Sequence, residues 1–459
     1  MQYINLQDLI LTPFFLIIIL LIENIYKNRK IKEEPLYKYY MPGLAVKLLG
    51  GIGVCLVYTL YYNGGDTLQY FFDSQDVINL LFKKPGGFIE IVFTSNSPEK
   101  FWSNFDPETG YPVYYRDPET FMVVRLVVFL VMLSFKSFFV STLLLAWISF
   151  WGIFRLFKIF ALEYPAITGR VAIAILFIPS VIFWGSGLLK DTITLSCIGY
   201  YFSAFYNIFI RRNKVHSNLL ILIISGWLII SIKPYIIFGI LPGSILWIVF
   251  KMLSQIRGEI ARTAALPLLV IVAVSFGYAM LNFLEGQLAE YSMDQVLERA
   301  VVTQRDLKSE YYRGNSFDIG DFEANIPSML SLSHKAIAAS LFRPYIFEAN
   351  NIVMFVSGLE NTFILLLTFV ALYKTRIIYI PGLVVSNHML MFSLIFALFF
   401  AFAVGISTSN FGSLVRYKIP IIPFYIVSLY ILNYYGDLKK AERKESRKMP
   451  TVYTMGTGR

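Results

Sequence analysis

Long apolar runs recur along this chain and constrain its fold more than anything else in it. They fall at 9–25, 44–62, 137–156, 171–187, 193–210, 217–232, 235–251, 266–283, 352–373, 388–405 and 418–434. A helix that crosses a bilayer needs about 20 mostly apolar residues. Lipid offers backbone groups no hydrogen-bond partner, so each run is expected to be helical. The alternation of apolar and polar residues that a membrane barrel needs is absent. A twelfth run, 121–135, is short and carries Arg125. Only 15% of the residues are charged, against about a quarter in soluble domains. That excludes a cytosolic globular enzyme, a disordered regulator and a disulfide scaffold. The expected fold is an all-α polytopic integral membrane protein, one membrane domain over 1–459, with about 11 (10–13) transmembrane helices.

The net charge is +10. In a membrane chain this is better explained by basic cytoplasmic connections than by nucleic-acid binding. Basic clusters lie in 26–40, at Arg155, Lys158 and Arg170, at Arg211, Arg212 and Lys214, at Lys251, Arg257 and Arg262, and at Lys374 and Arg376. The tail 436–459 is also basic. Two long polar stretches have the opposite balance: 63–119 has nine acidic residues to four basic, and 284–351 has ten to six. They read as outer loops with short amphipathic helices, one expected over 287–309. The N-terminus is then outside and the tail 436–459 cytoplasmic. An odd number of crossings satisfies this, so 121–135 is expected to be tilted, partial or interfacial. The first apolar run lacks a basic leader and a small-residue cleavage site, and reads as a retained helix.

Cys55 and Cys197 lie inside apolar runs and read as packing residues. His216, His334 and His388 are isolated, which argues against a histidine metal site. Ionisable residues at or within spans cost energy and point to function. Few lie near mid-membrane, and Lys47, Arg125 and Glu23 are the candidates. The others share one side. Asn63-Gly64-Gly65-Asp66 leaves the second run at a sharp turn, with Tyr70 and Asp73 following; Asp66 either caps an interfacial helix or does chemistry, and the two are compatible. Pro179 to Asp191 breaks a span where Lys190 and Asp191 appear. Lys233-Pro234-Tyr235 is an outer turn. Phe342-Arg343-Pro344-Tyr345 is followed by Glu348, Asn350, Asn351, Glu360 and Asn361. Ser409-Asn410 runs to Arg416-Tyr417-Lys418 between the last two runs. Each cation can be an interface anchor. Several on an acidic side call for compensation, and a (pyro)phosphate supplies it, since arginine forks and lysine point charges suit its oxygens. A carboxylate there can take the proton of an attacking sugar hydroxyl.

These short motifs resemble the membrane-embedded glycosyltransferases of GT-C type and the O-antigen and exopolysaccharide polymerases related to them. Gly65-Asp66 with Tyr70 resembles their first outer loop, and Pro179, Ser186 and Asp191 a second outer motif. The acidic pair frequent in that loop is absent here, and one helix precedes the usual first span. The resemblance implies glycosyl transfer from a polyprenyl-(pyro)phosphate-linked sugar at the outer face of a bacterial-type inner membrane, without a nucleotide sugar. Asp66 and Asp191 would be the catalytic carboxylates, and Lys190, Lys233, Arg343 and Arg416 the phosphate ligands. Asp73, Tyr70, Glu348, Asn350, Glu360, Asn410 and Tyr417 would support them. Such enzymes differ in metal use, so a divalent cation stays open as a cofactor, although no dedicated metal site is visible. The expected partners are the polyprenyl-linked sugar, membrane lipid and other members of a polysaccharide assembly pathway. A lipid-linked glycan flippase, or a non-catalytic subunit of such a pathway, is the competing reading.

Overall fold

In the hydrocarbon core a chain has to satisfy its own backbone, and this one does so with helices. The computed structural model describes residues 4–255, 293–307 and 316–446. Among them, eight helices are long and apolar enough to cross a membrane, and a bent pair makes a ninth. This is a multi-pass, all-α membrane protein.

The elements run α1 (Leu6–Lys30), α2 (Tyr40–Leu56, continued by a wider turn to Tyr61), α3 (Asp66–Lys83), α4 (Pro85–Phe93), α5 (Pro98–Asn104) and α6 (Pro118–Leu133). Next come α7 (Phe138–Glu163), α8 (Thr168–Leu176), α9 (Pro179–Trp184), α10 (Lys190–Phe205, continued to Arg211), α11 (Val215–Ile232) and α12 (Tyr235–Gln255). The remainder are α13 (Met293–Leu307), α14 (Ile326–Ser331), α15 (Ser333–Phe342), α16 (Ile352–Thr375), α17 (Ile380–Ser386), α18 (His388–Ser407), α19 (Phe411–Tyr417) and α20 (Ile422–Ser446).

Side-chain pairs fix the directions. Ser137 bonds Asp8 at 2.5 Å where α7 and α1 begin, and Trp147 bonds Glu23 at 2.5 Å further along both, so these helices are parallel. Gly152 packs on Ser196 and Gly199, and Glu163 meets Tyr206, so α7 and α10 are parallel too. Hence α1, α7 and α10 start at one end of the bundle, called here the site end. α2 and α11 finish there, because Tyr58 faces Trp184 and Lys233 bonds Asp191.

Several sequence expectations are sharpened by the fold. The run 121–135 forms α6, whose 16 residues span about 24 Å. Asp117 before it lies 3.8 Å from Lys190, and Ser137 after it bonds Asp8. Both ends therefore stay at the site end, and α6 does not cross. The run 171–187 does connect the two ends, but in pieces: α8 stops at Leu176, Pro179 opens α9, and 185–189 is irregular. The last run is preceded by α19, which meets α20 at a 66° bend. The tail after Gly436 continues α20 to Ser446; 447–459 lie outside the described residues. So does the expected span 266–283. The expected helix 287–309 is described as α13 over Met293–Leu307.

The broken crossing explains two charges buried in the bundle. Irregular backbone at membrane depth is tolerated where protein satisfies it. Lys47, 4% exposed, donates to Gly185 O. Glu360, 8% exposed, accepts from Ser180 N at 2.8 Å and from Ser180 Oγ at 2.5 Å, capping α9. Thr192 Oγ1 donates to Gly187 O at 2.6 Å. Each group left bare would cost about 1–3 kcal/mol.

α7 and α10 touch backbone to backbone. A Cβ on Gly199 would lie 2.2 Å from Gly152 O, and one on Gly152 would lie 2.2 Å from Ser196 O. Small residues permit this closeness between membrane helices. Gly199→Ala should push the helices apart and lower the thermal unfolding midpoint in detergent, a loss of about 1–3 kcal/mol. Gly226→Ala, whose Cβ would meet nothing within 4 Å, should leave the midpoint unchanged or raise it.

Candidate functional site

The turn out of α2 places the first acid. Asn63, Gly64 and Gly65 all have positive φ. A Cβ on Gly65 would lie 2.8 Å from the Tyr58 ring, so the chain passes close above that ring and can do so only as glycine. Asp66 then opens α3, where a helix N-terminus favours negative charge. Its side chain is 44% exposed. Oδ2 pairs with Arg416 Nη1 at 2.9 Å, and Oδ1 accepts from the Tyr114 hydroxyl at 3.2 Å.

Arg416 comes from the last turn of α19. Asn410 caps that short helix, accepting from Gly412 N at 2.8 Å and Ser413 N at 3.3 Å. The guanidinium lies over the Trp184 ring at 5.5 Å. Nη2 reaches Asp191 Oδ2 at 3.3 Å, while Nε has no hydrogen-bond partner among the described residues. Asp191, in the first turn of α10, is 1% exposed and holds Lys233 Nζ at 2.5 Å on its other oxygen. Lys233 also sits over the Tyr417 ring at 5.4 Å. Lys190 lies next in sequence to Asp191, 19% exposed, with Asp117 at 3.8 Å.

So the fold gathers Asp66, Asp191, Lys233, Arg416 and Tyr417 into one cluster, with Lys190 beside it. Asp73 and Tyr70 serve it indirectly. Asp73 is fully buried and accepts from Val113 N at 3.1 Å, Tyr114 N at 2.8 Å and Gln69 Nε2 at 2.6 Å. Tyr70 packs its ring 5.0 Å from that of Tyr114. Together they aim the Tyr114 hydroxyl at Asp66. Burial, reinforced by the Asp66 carboxylate, pushes that hydroxyl above its ordinary range, so it remains a donor.

The other residues singled out in the sequence belong to a second group. Arg343 forks onto Glu348, with Nε 3.0 and 3.2 Å from the two carboxylate oxygens and Nη2 also bonded. Its guanidinium packs against Phe317 at 5.0 Å and Phe411 at 5.6 Å. Buried Lys418 donates to Arg343 O at 3.0 Å and Asn361 Oδ1 at 2.7 Å, and Asn361 Nδ2 donates to Pro344 O at 2.9 Å. This group ties 343–348 to α16 and α19. Glu360 caps α9, as described, and Asn350 is exposed one residue before Asn351, the cap of α16. The two groups share α19, which carries Arg416 at its end and Phe411 against Arg343, and the run Arg416-Tyr417-Lys418 joins them. Among the described residues, no three His, Cys, Asp or Glu side chains gather so as to hold a metal ion.

Three contributors carried no role in the sequence reading: Tyr58 as the surface under the turn, Tyr114 as the donor to Asp66, and Trp184 beneath Arg416. Pro179 and the glycines of 185–187 signal the break that presents Trp184. Nothing local signals the 48-residue pairing of Tyr114 with Asp66.

Asp66 and Asp191 should separate in stability measurements. Asp191→Asn leaves two buried cations undercompensated, a loss of about 3–5 kcal/mol. Asp66→Asn breaks a part-exposed pair, worth up to about 1 kcal/mol. Thermal unfolding in detergent should show a large drop in midpoint for the first and a small one for the second.

A pH effect arises on α3. Burial, with the Asp73 carboxylate adding to it, pushes the Asp76 carboxyl up to about 7 from an ordinary 3.8. The folded state therefore holds a proton that the unfolded state has released across that interval, and stability falls as pH rises through it. Asp76→Asn should unfold at a higher temperature than the natural protein at pH 8 and show no gain at pH 4.

Family models, curated proteins and solved structures give no match to this chain, so its function is argued from residues and geometry.

Proposed function

We propose that the protein is a membrane glycosyltransferase or glycan polymerase that uses a polyprenyl-(pyro)phosphate-linked sugar in cell-surface polysaccharide or glycoconjugate assembly. The site end faces outward from a bacterial-type inner membrane in this reading, with the N-terminus outside and the C-terminus cytoplasmic. One observation carries it: a part-exposed carboxylate, Asp66, rests on the nearly buried Arg416, with Lys233 and Lys190 close by, at one end of a membrane bundle.

The parts suit an inverting displacement. An acceptor sugar hydroxyl attacks the anomeric carbon, and its proton passes to Asp66 as general base. The bond from that carbon to the phosphate oxygen breaks. The (pyro)phosphate leaves with the electron pair, its charge taken up by Arg416, Lys233 and Lys190. Before substrate arrives, Asp66 occupies the edge of the guanidinium that a phosphate would take. Exchange of the two frees the carboxylate for the acceptor. Tyr114 keeps it oriented, and Asp191 holds Arg416 and Lys233 in place without touching substrate.

The transporter reading has less support. Charges lining a transport path should be available to a ligand. Here Lys47 is committed to Gly185 O, Glu23 to Tyr40 at 2.7 Å and Trp147 at 2.5 Å, and Arg125 to Ile91 O at 3.1 Å and Asn96 Oδ1 at 2.7 Å.

Asp66→Asn should lower glycan extension by about 10²–10⁴-fold while the protein inserts and folds normally. Mass analysis of lipid-linked glycans in cells carrying the variant is the measurement. A missing sugar indicates a transferase and accumulated single repeats a polymerase. Normal product would reject Asp66 as the base, and lipid-linked glycan trapped on the cytoplasmic side would turn the reading toward a flippase.

A further inference from the structure

A crevice of about 260 Å³ lies between α7, α10 and α11. It runs along α10 from Ile193 to Tyr200, about 10 Å at 1.5 Å per residue. Its mouth is flanked by Ile148 and Ile224, 50% and 48% exposed, so it opens sideways toward the hydrocarbon. Small side chains, Ser149, Ser196, Cys197 and Ser225, are set among isoleucines and leucines in its lining. Two of them, Ser149 and Ser225, turn their hydroxyls onto carbonyls of their own helices, Ala146 O at 3.0 Å and Ile221 O at 2.6 Å. The walls therefore present hydrocarbon to whatever lies between them.

The lining of the crevice reaches to within one helical turn of residues of the charged cluster. Ile193 is one turn along α10 from Lys190, and Leu228 is one turn before the end of α11, where Lys233 follows. Lys190 is part-exposed, and its pair with Asp117 at 3.8 Å is the longest in the cluster. Apolar burial earns no hydrophobic gain inside a bilayer, so a chain would be held here by shape and by charge at its head. A slender chain with methyl branches suits an apolar lining that mixes small and branched side chains, and a single anionic head suits the lysines.

We infer that this crevice seats the isoprenoid chain of a polyprenyl phosphate, which enters sideways from the bilayer and places its phosphate at Lys190 and Lys233. The inference rests on the reading of the charged cluster as a lipid-phosphate site and adds where the lipid lies.

The test uses the full-length protein in nanodiscs and a polyprenyl phosphate bearing a diazirine in its first isoprene units. After irradiation, mass spectrometry should place the label on 193–200 and 221–228. Unlabelled polyprenyl phosphate should compete and phosphatidylglycerol should not. Ile224→Trp, a change at the exposed mouth, should cut labelling by about tenfold, an affinity loss of about 1.4 kcal/mol. Cys197→Trp fills the floor and serves as a second variant. Label on other helices, equal competition by phosphatidylglycerol, or undiminished labelling of Ile224→Trp would overturn the inference. Labelling in the crevice without any sugar transfer would keep it and remove the transferase reading. Transfer with an unlabelled crevice would do the reverse.

Discussion

A single buried carboxylate, Asp191, holds the site end together. One of its oxygens takes Lys233 from the end of α11 and the other takes Arg416 from α19, while its own backbone opens α10. Two consecutive helices and one from near the other end of the chain thus converge on one negative charge. Removal of two cations and an anion from water is costly, and their mutual attraction roughly offsets that cost without a large surplus. What such a cluster secures is position. Arg416 cannot drift while Asp191 and the Trp184 ring hold it, so the partner on its open side, Asp66, meets a fixed cation.

The remaining charges inside the bundle follow a different logic. Lys47 and Glu360 serve backbone: one satisfies a carbonyl and the other an amide of the broken crossing 168–189. The break is what allows Trp184 to sit under Arg416 and Lys190 to start a new helix beside it. The cost of an irregular crossing is thus offset by two buried ionisable side chains from α2 and α16. Those side chains look functional by position alone, but their hydrogen bonds show support of the backbone. Arg125 acts likewise on α4 and the turn after it, through Ile91 O and Asn96.

Much of the fold was legible because crossing a bilayer sets a length, and length survives in sequence. Hydropathy alone hides breaks, and the one at 179–191 was legible from its proline, glycines and charges. Hydropathy over 171–187 is continuous, although Pro179 removes a donor and ends the ladder. The 66° bend before Ile422 falls at the start of the last expected run, 418–434. In the site, Gly65, Asp66, Lys190, Asp191, Lys233 and Arg416 were visible as charge and glycine at the ends of runs. Which arginine mattered was not. Arg343 finds Glu348 five residues away and is occupied locally, whereas Arg416 finds Asp66 and Asp191 at separations of 350 and 225 residues. A local pair can be guessed from a motif. Pairs that exist only because α3, α10 and α19 converge need the fold itself.

The charge balance of the cluster constrains how it can work. Arg416, Lys233 and Lys190 face Asp66, Asp191 and Asp117, so an incoming phosphate competes with a carboxylate at each cation and gains most where the acid gives way most readily. Asp191 is buried and bonded on both oxygens, and its departure would unpair two cations at once. Asp117 caps α6 through Glu119 N at 3.1 Å and Thr120 N at 3.3 Å, so its departure would fray a helix. Asp66 is 44% exposed and, among the described residues, its side chain bonds only Arg416 and Tyr114. Water can solvate it as it leaves, and α3 keeps its first turn. It is the acid that can exchange with a phosphate at least cost. That is also the position from which a base would serve an acceptor hydroxyl, so one carboxylate can both close the empty site and act in the occupied one.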